Sequence, residues 1–322
     1  MTEYLNYKKA MVSRFWDYQK RHFPQIDGIF ERPFATDGRP PVFLPGEAAR
    51  NVMVHPDLGP AGADKLLALV PKWERHRWFG SMSSSQALAQ SVLGNLAVGN
   101  QLHCLTDLQA DEGDSLLGNA QVSSTNFAME HKVSHLEERR PTSLDGYISG
   151  SYRVAIECKL MEAEMGPCSR SRLTPTNPDI ASGHCSGNYT VQHGRLVRCP
   201  LTQDGVMYWH YVPKLFGWGN DIDLTPCPLN ENYQLVRNIL AVCTDANGTV
   251  APISGHAVLI YDARNPAFRD GGKGLAAYRN TRAALIEPAV LRKCSWQRLV
   301  SRLREQGILP WLTEQLKLKY GL

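Results

Sequence analysis

Asp145, Glu157 and Lys159 are the residues of this chain whose types and spacing could do chemistry. Glu157-Cys158-Lys159 closes an apolar run, Tyr152-Arg153-Val154-Ala155-Ile156, and leads into Leu160. A strand alternates its side chains, so Val154, Ile156, Cys158 and Leu160 share one face and Ala155, Glu157 and Lys159 the other. Desolvating a lone carboxylate or a lone ammonium is expensive, so two charges on a buried strand each require a partner. A hard cation for the carboxylate and an anionic substrate for the ammonium would serve, and that pairing is the chemistry of phosphodiester hydrolysis.

Positioning these groups requires a hairpin. Leu144–Ile148 reads as a short strand and Ser149-Gly150-Ser151 as a tight connection to the next one. A turn centred on Gly150 sets Asp145 opposite Ala155, on the face that carries Glu157 and Lys159. Opposed residues there lie about 4.5–5.5 Å apart and diagonal ones about 7–8 Å, close enough for two carboxylates to share a cation. A two-residue turn would invert the side-chain pattern, so a loop of three or five residues is expected.

This arrangement resembles the D…(D/E)xK signature of the PD-(D/E)XK nuclease superfamily, with Ser143-Leu144-Asp145 in place of the usual Pro-Asp dipeptide. The string Glu138-Arg139-Arg140-Pro141-Thr142-Ser143-Leu144-Asp145, followed by Ile156-Glu157-Cys158-Lys159, is similar to a bacterial group of restriction-endonuclease-like proteins. The likeness runs over about residues 81–262, with Tyr233–Asn238 as its later landmark. It implies a restriction-endonuclease-like fold in which a helix bearing Gln234 reaches back to the catalytic strands, with Arg237 as a phosphate contact. It also implies that the helix following Ser83-Ser84-Ser85 borders the site, so that Gln86 could meet substrate or metal-bound water; a solvated glutamine is the bland alternative.

Other carboxylates are candidates for the same cluster. Glu130 lies in Thr125–Val133, which reads as the first core strand, and Glu138 opens the family-like string; a loop salt bridge from Glu138 to either neighbouring Arg is the plainer reading. Tyr233–Thr244 reads as a helix with Leu235, Ile239 and Val242 inward and Gln234, Arg237 and Asn238 on a polar face. His256–Asp262 reads as an apolar strand on the far side of the sheet.

The N-terminal stretch, residues 1–80, is expected to hold a helix at Thr2–Arg21 and another near Ala61–Glu74 and to pack on the core. Residues 81–322 form the nuclease-like domain, interrupted by an insertion at about 163–232. That insertion holds Cys168, Cys185, Cys199 and Cys227 with His184 and His193, at spacings that match no standard zinc pattern; structural Zn²⁺ is the minority reading, buried thiols the majority one. Its aromatics Tyr208, Trp209, Tyr211, Phe216 and Trp218 could stack on bases, but a local hydrophobic cluster is the simpler use.

Composition bounds the function class. No apolar run approaches the roughly 20 residues of a membrane span, and no secretory core follows Met1, so a cytoplasmic protein with reduced cysteines is expected. The net charge of +4 is unevenly spread: from Arg264 to Leu322, twelve Lys or Arg face Asp270, Glu287, Glu305 and Glu314. Such a segment could hold a nucleic-acid backbone, or could be two amphipathic helices with Trp296, Leu299, Val300 and Leu303 inward and a solvated basic face.

The expected fold is therefore α/β, a restriction-endonuclease-like mixed sheet flanked by helices, with Asp145 and the Glu157–Lys159 strand at its catalytic edge. The expected reaction is Mg²⁺- or Mn²⁺-dependent phosphodiester hydrolysis in nucleic acid, DNA by preference, with Asp145, Glu157 and the Cys158 carbonyl as ligands. Lys159 would position or help deprotonate the attacking water, and Gln234 would complete the catalytic set. No membrane partner is expected and a homodimer is left open. The rivals are a catalytically silent nucleic-acid-binding module on the same fold and a metal-stapled interaction protein.

Overall fold

The computed structural model describes residues 2–32, 38–168, 170, 185, 199–218 and 227–322. Among them the helices are α1 (Thr2–His22), α2 (Gly59–Ala68), α3 (Ser85–Ala89), α4 (Asn95–Val98), α5 (Pro200–Gln203), α6 (Tyr208–Leu215), α7 (Leu229–Cys243), α8 (Lys273–Ala284), α9 (Trp296–Glu305) and α10 (Pro310–Tyr320). The strands are β1 (Phe127–Ala128), β2 (His131–Val133), β3 (Thr142–Leu144), β4 (Gly146–Ile148), β5 (Arg153–Cys158), β6 (Gly255–Tyr261) and β7 (Leu291–Ser295). The main sheet runs β1-β4-β5-β6-β7, antiparallel from β1 to β5 and parallel from β5 to β7; β2 and β3 form a separate ladder. This is the mixed α/β sheet expected from the sequence.

The alternation along β5 sorts two cores. Val154, Ile156, Cys158 and Leu160 join Val258, Ile260 and Cys294 beneath α1, α9 and α10, while Ala155 joins Ala257, Leu259 and Leu291 beneath α7 and α8. Strands covered on both faces read as near-continuous apolar runs, and all seven residues of β6 are buried. The stripe Trp296, Leu299, Val300 and Leu303 of α9 is fully buried, as its helical spacing requires. Helix α1 docks on α10, with Phe15 edge-on to Tyr320 at 5.8 Å between centroids.

Several sequence expectations require correction. The strand bearing Glu157 is central rather than an edge, because β6 pairs with it in parallel on the side opposite β4. His256–Asp262 is likewise interior; the outer strand is β7, whose Leu-Arg-Lys-Cys-Ser sequence gives little apolar signal. Thr125–Val133 is not one strand but two, separated by Glu130 at φ +49°, and Leu144–Ile148 breaks at Asp145, where the chain leaves the β2–β3 ladder for the main sheet. The helix expected at Ala61–Glu74 ends at Ala68, followed by a short 3₁₀ turn at Lys72–Glu74 ahead of its basic and aromatic neighbours.

Candidate active site

The β4–β5 hairpin closes with five residues between the paired Ile148 and Val154. An odd loop keeps the face assignment, but its centre is Ser151 rather than Gly150, so Asp145 comes opposite Glu157 itself instead of Ala155. Asp145 Oδ2 accepts the backbone N–H of Cys158 at 2.7 Å. This contact ties the carboxylate at the sheet-switching bend to the strand that carries Glu157 and Lys159.

Glu157 is 3% exposed and every charge on it is answered. Its Oε1 meets Lys159 Nζ at 2.8 Å and accepts Gln234 Nε2 at 2.7 Å; its Oε2 accepts Asn238 Nδ2 at 2.9 Å. Lys159 Nζ also donates to Gln234 Oε1 at 2.8 Å, so one carboxamide bridges the two charges. Gln234 and Asn238 are one helical turn apart on α7, which presents both to the same strand. Gly166 makes room: at φ +76° its backbone passes so close that a Cβ would stand 2.3 Å from Gln234 Oε1.

Electrostatics follow from this crowding. Burial pushes the Asp145 carboxyl well above the usual carboxylate range, and the nearby negative charges of Glu157 and Glu130 push it further. Burial acts to lower Lys159, but Glu157, Glu162 and Asp145 outweigh it and hold the ammonium above its ordinary value. Glu130 is also raised, first by burial, although Ser143 Oγ and Gln86 Nε2 donate to it at 2.6 and 2.5 Å.

Gln86 is thus neither a solvated residue nor one aimed at open space. It is buried, donates to the Glu74 carbonyl at 3.1 Å and accepts the His76 N–H at 3.0 Å, so it holds the segment before the helix against Glu130. Glu138 lies elsewhere: it accepts the Tyr208 hydroxyl and faces Arg237 at 4.0 Å. The charge facing Glu138 is therefore Arg237 of α7, and among the described residues no ion pair joins it to Arg139 or Arg140 as the loop reading expected. Arg237 lies over the Tyr233 ring at 5.4 Å and is mostly buried.

Two residues were missed. Asn238 carried a signal, since Gln-x-x-x-Asn on a helix facing the Glu157 strand puts two amides on one side. Glu162 carried less; its Oε2 accepts the Leu160 N–H and its Oε1 the Ser85 hydroxyl, both at 2.6 Å, which locks α3 to the end of β5.

In the segment expected to be an insertion, Cys185 and Cys199 are buried and Cys168 partly so, and none forms a disulfide among the described residues. His184 and His193 lie outside the described residues. Tyr208, Trp209, Tyr211 and Phe216 are buried in the second core, and Trp218 stacks on Phe216 at 4.6 Å, so they form the hydrophobic cluster rather than a base-stacking platform. The basic C-terminal segment spends much of its charge internally, in Arg264–Asp262, Lys293–Asp111, Arg298–Asp111 and Arg302–Asp107.

Against this geometry the comparisons are specific. A family model described as Restriction Endonuclease associating with ARP matches residues 45–321. The chain belongs to that family. No curated protein and no solved structure gives a match. The matched span includes every residue of the Asp145–Glu157–Lys159 cluster and also Gln234.

The oxygen donors gathered here are of the kind a hard divalent cation takes. Asp145, Glu157 and Glu130 are oxygen donors crowded enough to raise the first and last, and Asn238 Oδ1 is buried without a hydrogen-bond partner beside Glu157. Among the described residues no three His, Cys, Asp or Glu side chains stand together as a ready metal cage. Both Glu157 oxygens already accept hydrogen bonds, so holding a cation requires it to trade an amide or ammonium contact. No described helix is long and apolar enough to cross a membrane.

Proposed function

We propose that this protein is a nuclease that hydrolyses phosphodiester bonds in nucleic acid, DNA by preference, with divalent metal. The observation that supports this best is the convergence of Asp145 on the strand of Glu157 and Lys159, bridged by Gln234, in a chain of a restriction-endonuclease family. Asp145 and Glu157, with the Cys158 carbonyl, would hold Mg²⁺ or Mn²⁺, which supplies charge neutralisation at the phosphate and a more acidic water.

Lys159 is held as an ammonium by its carboxylates, so it balances charge on the phosphate and orients water rather than acting as a base. Gln234 fixes the angle between Glu157 and Lys159, because its amide satisfies both at once. Asp145 is oriented by the Cys158 N–H. The test is incubation with plasmid, linear and single-stranded DNA in Mg²⁺ or Mn²⁺ against EDTA; absence of metal-dependent scission on every substrate would sink the proposal.

One observation favours a second reading, a nucleic-acid-binding module without turnover. Glu157 and Lys159 are mutually satisfied, as a retired site would leave them. Such a protein binds DNA with the same salt dependence and never cuts it.

A further inference from the structure

The segment Lys72-Trp73-Glu74-Arg75-His76-Arg77-Trp78 carries exposed aromatics among cations. Trp73 is 82% exposed and Trp78 51%, whereas the aromatics of the insertion are folded into a core. Two indoles kept in water five residues apart, with cations between them, offer flat apolar faces to a ligand. The Arg77 guanidinium lies 5.1 Å from the Trp78 ring centroid.

This segment is wired to the candidate active site at two points. Gln86 links the Glu74 carbonyl and the His76 N–H to the Glu130 carboxylate. The His76 ring meets Ser84 Oγ at 3.0 Å, and the next residue, Ser85, donates to Glu162, which in turn caps the N–H of Leu160 just past Lys159. A cavity of about 560 Å³ includes His76, Ser84, Ser85 and Glu162 of this relay in its lining, together with Trp78, Lys8 and Arg39. Its volume lies within the range of small-molecule pockets.

We propose that this cavity takes an unpaired nucleotide of the strand being cut, its base stacked on Trp78 and its phosphates facing Lys8 and Arg39. The inference rests on the nuclease reading and adds a preference for single-stranded or locally opened nucleic acid. A base can lie on an indole only when its own stack is open, and an indole accepts any base because each has a π face. Glu162, the carboxylate of the lining, has its oxygens engaged by the Ser85 hydroxyl and the Leu160 N–H, and Glu74 of the adjoining turn is paired with Lys132 at 2.6 Å.

The experiment is fluorescence anisotropy of a short labelled oligonucleotide, single-stranded and duplex, in EDTA, with the intact protein and its Trp78→Ala, Trp78→Phe and Trp73→Ala variants. Stacking of one base predicts that Trp78→Ala weakens single-strand binding about tenfold, while Trp78→Phe, which keeps a π face, stays within about threefold. Trp73→Ala, further from the cavity, weakens it less. Indole fluorescence quenching by the oligonucleotide is reduced in Trp78→Phe. Equal binding by wild type and Trp78→Ala, equal loss in the Phe and Ala variants, or no single-strand affinity in the wild type would each overturn the inference. Metal-dependent scission that is lost in Glu157→Ala, beside a Trp78→Ala variant that binds normally, sinks the cavity and leaves the nuclease reading intact. Trp78-dependent binding without metal-dependent scission does the reverse.

Discussion

Lys159 and Lys319 are both buried, 8% and 2% exposed, yet the fold charges them differently. Lys159 stands against Glu157 and Gln234 at 2.8 Å, with Glu162 and Asp145 nearby, and its ammonium is stabilised beyond its ordinary value despite burial. Lys319, near the end of α10, donates to the Asn51 carbonyl at 2.9 Å and to Asn51 Oδ1 at 2.8 Å, beside the rings of Tyr18 and Tyr320. Among the described residues no carboxylate offsets its desolvation, and burial lowers it to about 7. A neutral amine has two N–H groups, and Asn51 offers it two oxygens. Burial alone therefore does not decide the charge of a lysine; what the neighbouring elements bring to it does. One lysine is kept charged by the carboxylates around it, the other serves as a strut between α10 and the N-terminal region.

The contrast breaks most severely at Glu157. Glu157→Ala removes a candidate ligand and strands Lys159 in the interior, so metal-dependent cleavage falls below detection and stability drops by ~3–5 kcal/mol in urea titration. DNA binding in EDTA is kept or strengthened because a negative charge is gone. Wild-type turnover in a folded Glu157→Ala variant would refute the site assignment.

Lys159→Ala comes next. Loss of an orienting and charge-balancing group lowers turnover by roughly 10²–10⁴-fold while metal affinity, read by calorimetry, persists. An unchanged rate at saturating DNA and metal would show that the buried pair is only structural.

Lys319→Met sharpens the other half of the comparison. The folded-state value lies below the unfolded one, so the unfolded chain binds more protons between about pH 7 and 10.5 and wild-type stability rises with pH across that window. That contribution is lost progressively as pH falls from about 10.5 to about 7, and below about 7, where the buried amine carries charge in the folded state too, the dependence levels off. Urea midpoints of Lys319→Met should lack this rise, on the order of a few kcal/mol for a fully buried group, and cleavage should be unaffected. A variant that keeps the wild-type slope would mean that Lys319 stays charged throughout.

Gln234→Ala should have a smaller effect than either charged substitution, roughly tenfold in turnover, because Glu157 and Lys159 still touch without it. Gly166→Ala probes the same bridge from the backbone side. Its positive φ, and the 2.3 Å that would separate an added Cβ from Gln234 Oε1, predict a loss of about 1–2 kcal/mol with a lesser fall in rate. Chemical denaturation and single-turnover cleavage read both, and a neutral Gly166→Ala would show that the loop can yield.

Local chemistry was legible in the chain itself. Alternation along Val154–Leu160 assigned each side chain to its face, because a strand has a period of two whatever surrounds it. The odd hairpin loop followed from the same parity, and the α9 stripe from the helical period. Tertiary structure alone decided the rest. The centre of the hairpin, the placing of β5 inside the sheet and the break of two expected strands at Glu130 and Asp145 depend on which ladders compete for each backbone. Glu138 faces Arg237, about a hundred residues away, and the difference between Lys159 and Lys319 lies in Glu157 two residues off, in Asp145 and Glu162 gathered beside it, and in an asparagine brought from another element. Periodicity is a property of the local backbone and can be read from sequence; the charge of a buried group is a sum over neighbours that only the folded chain assembles.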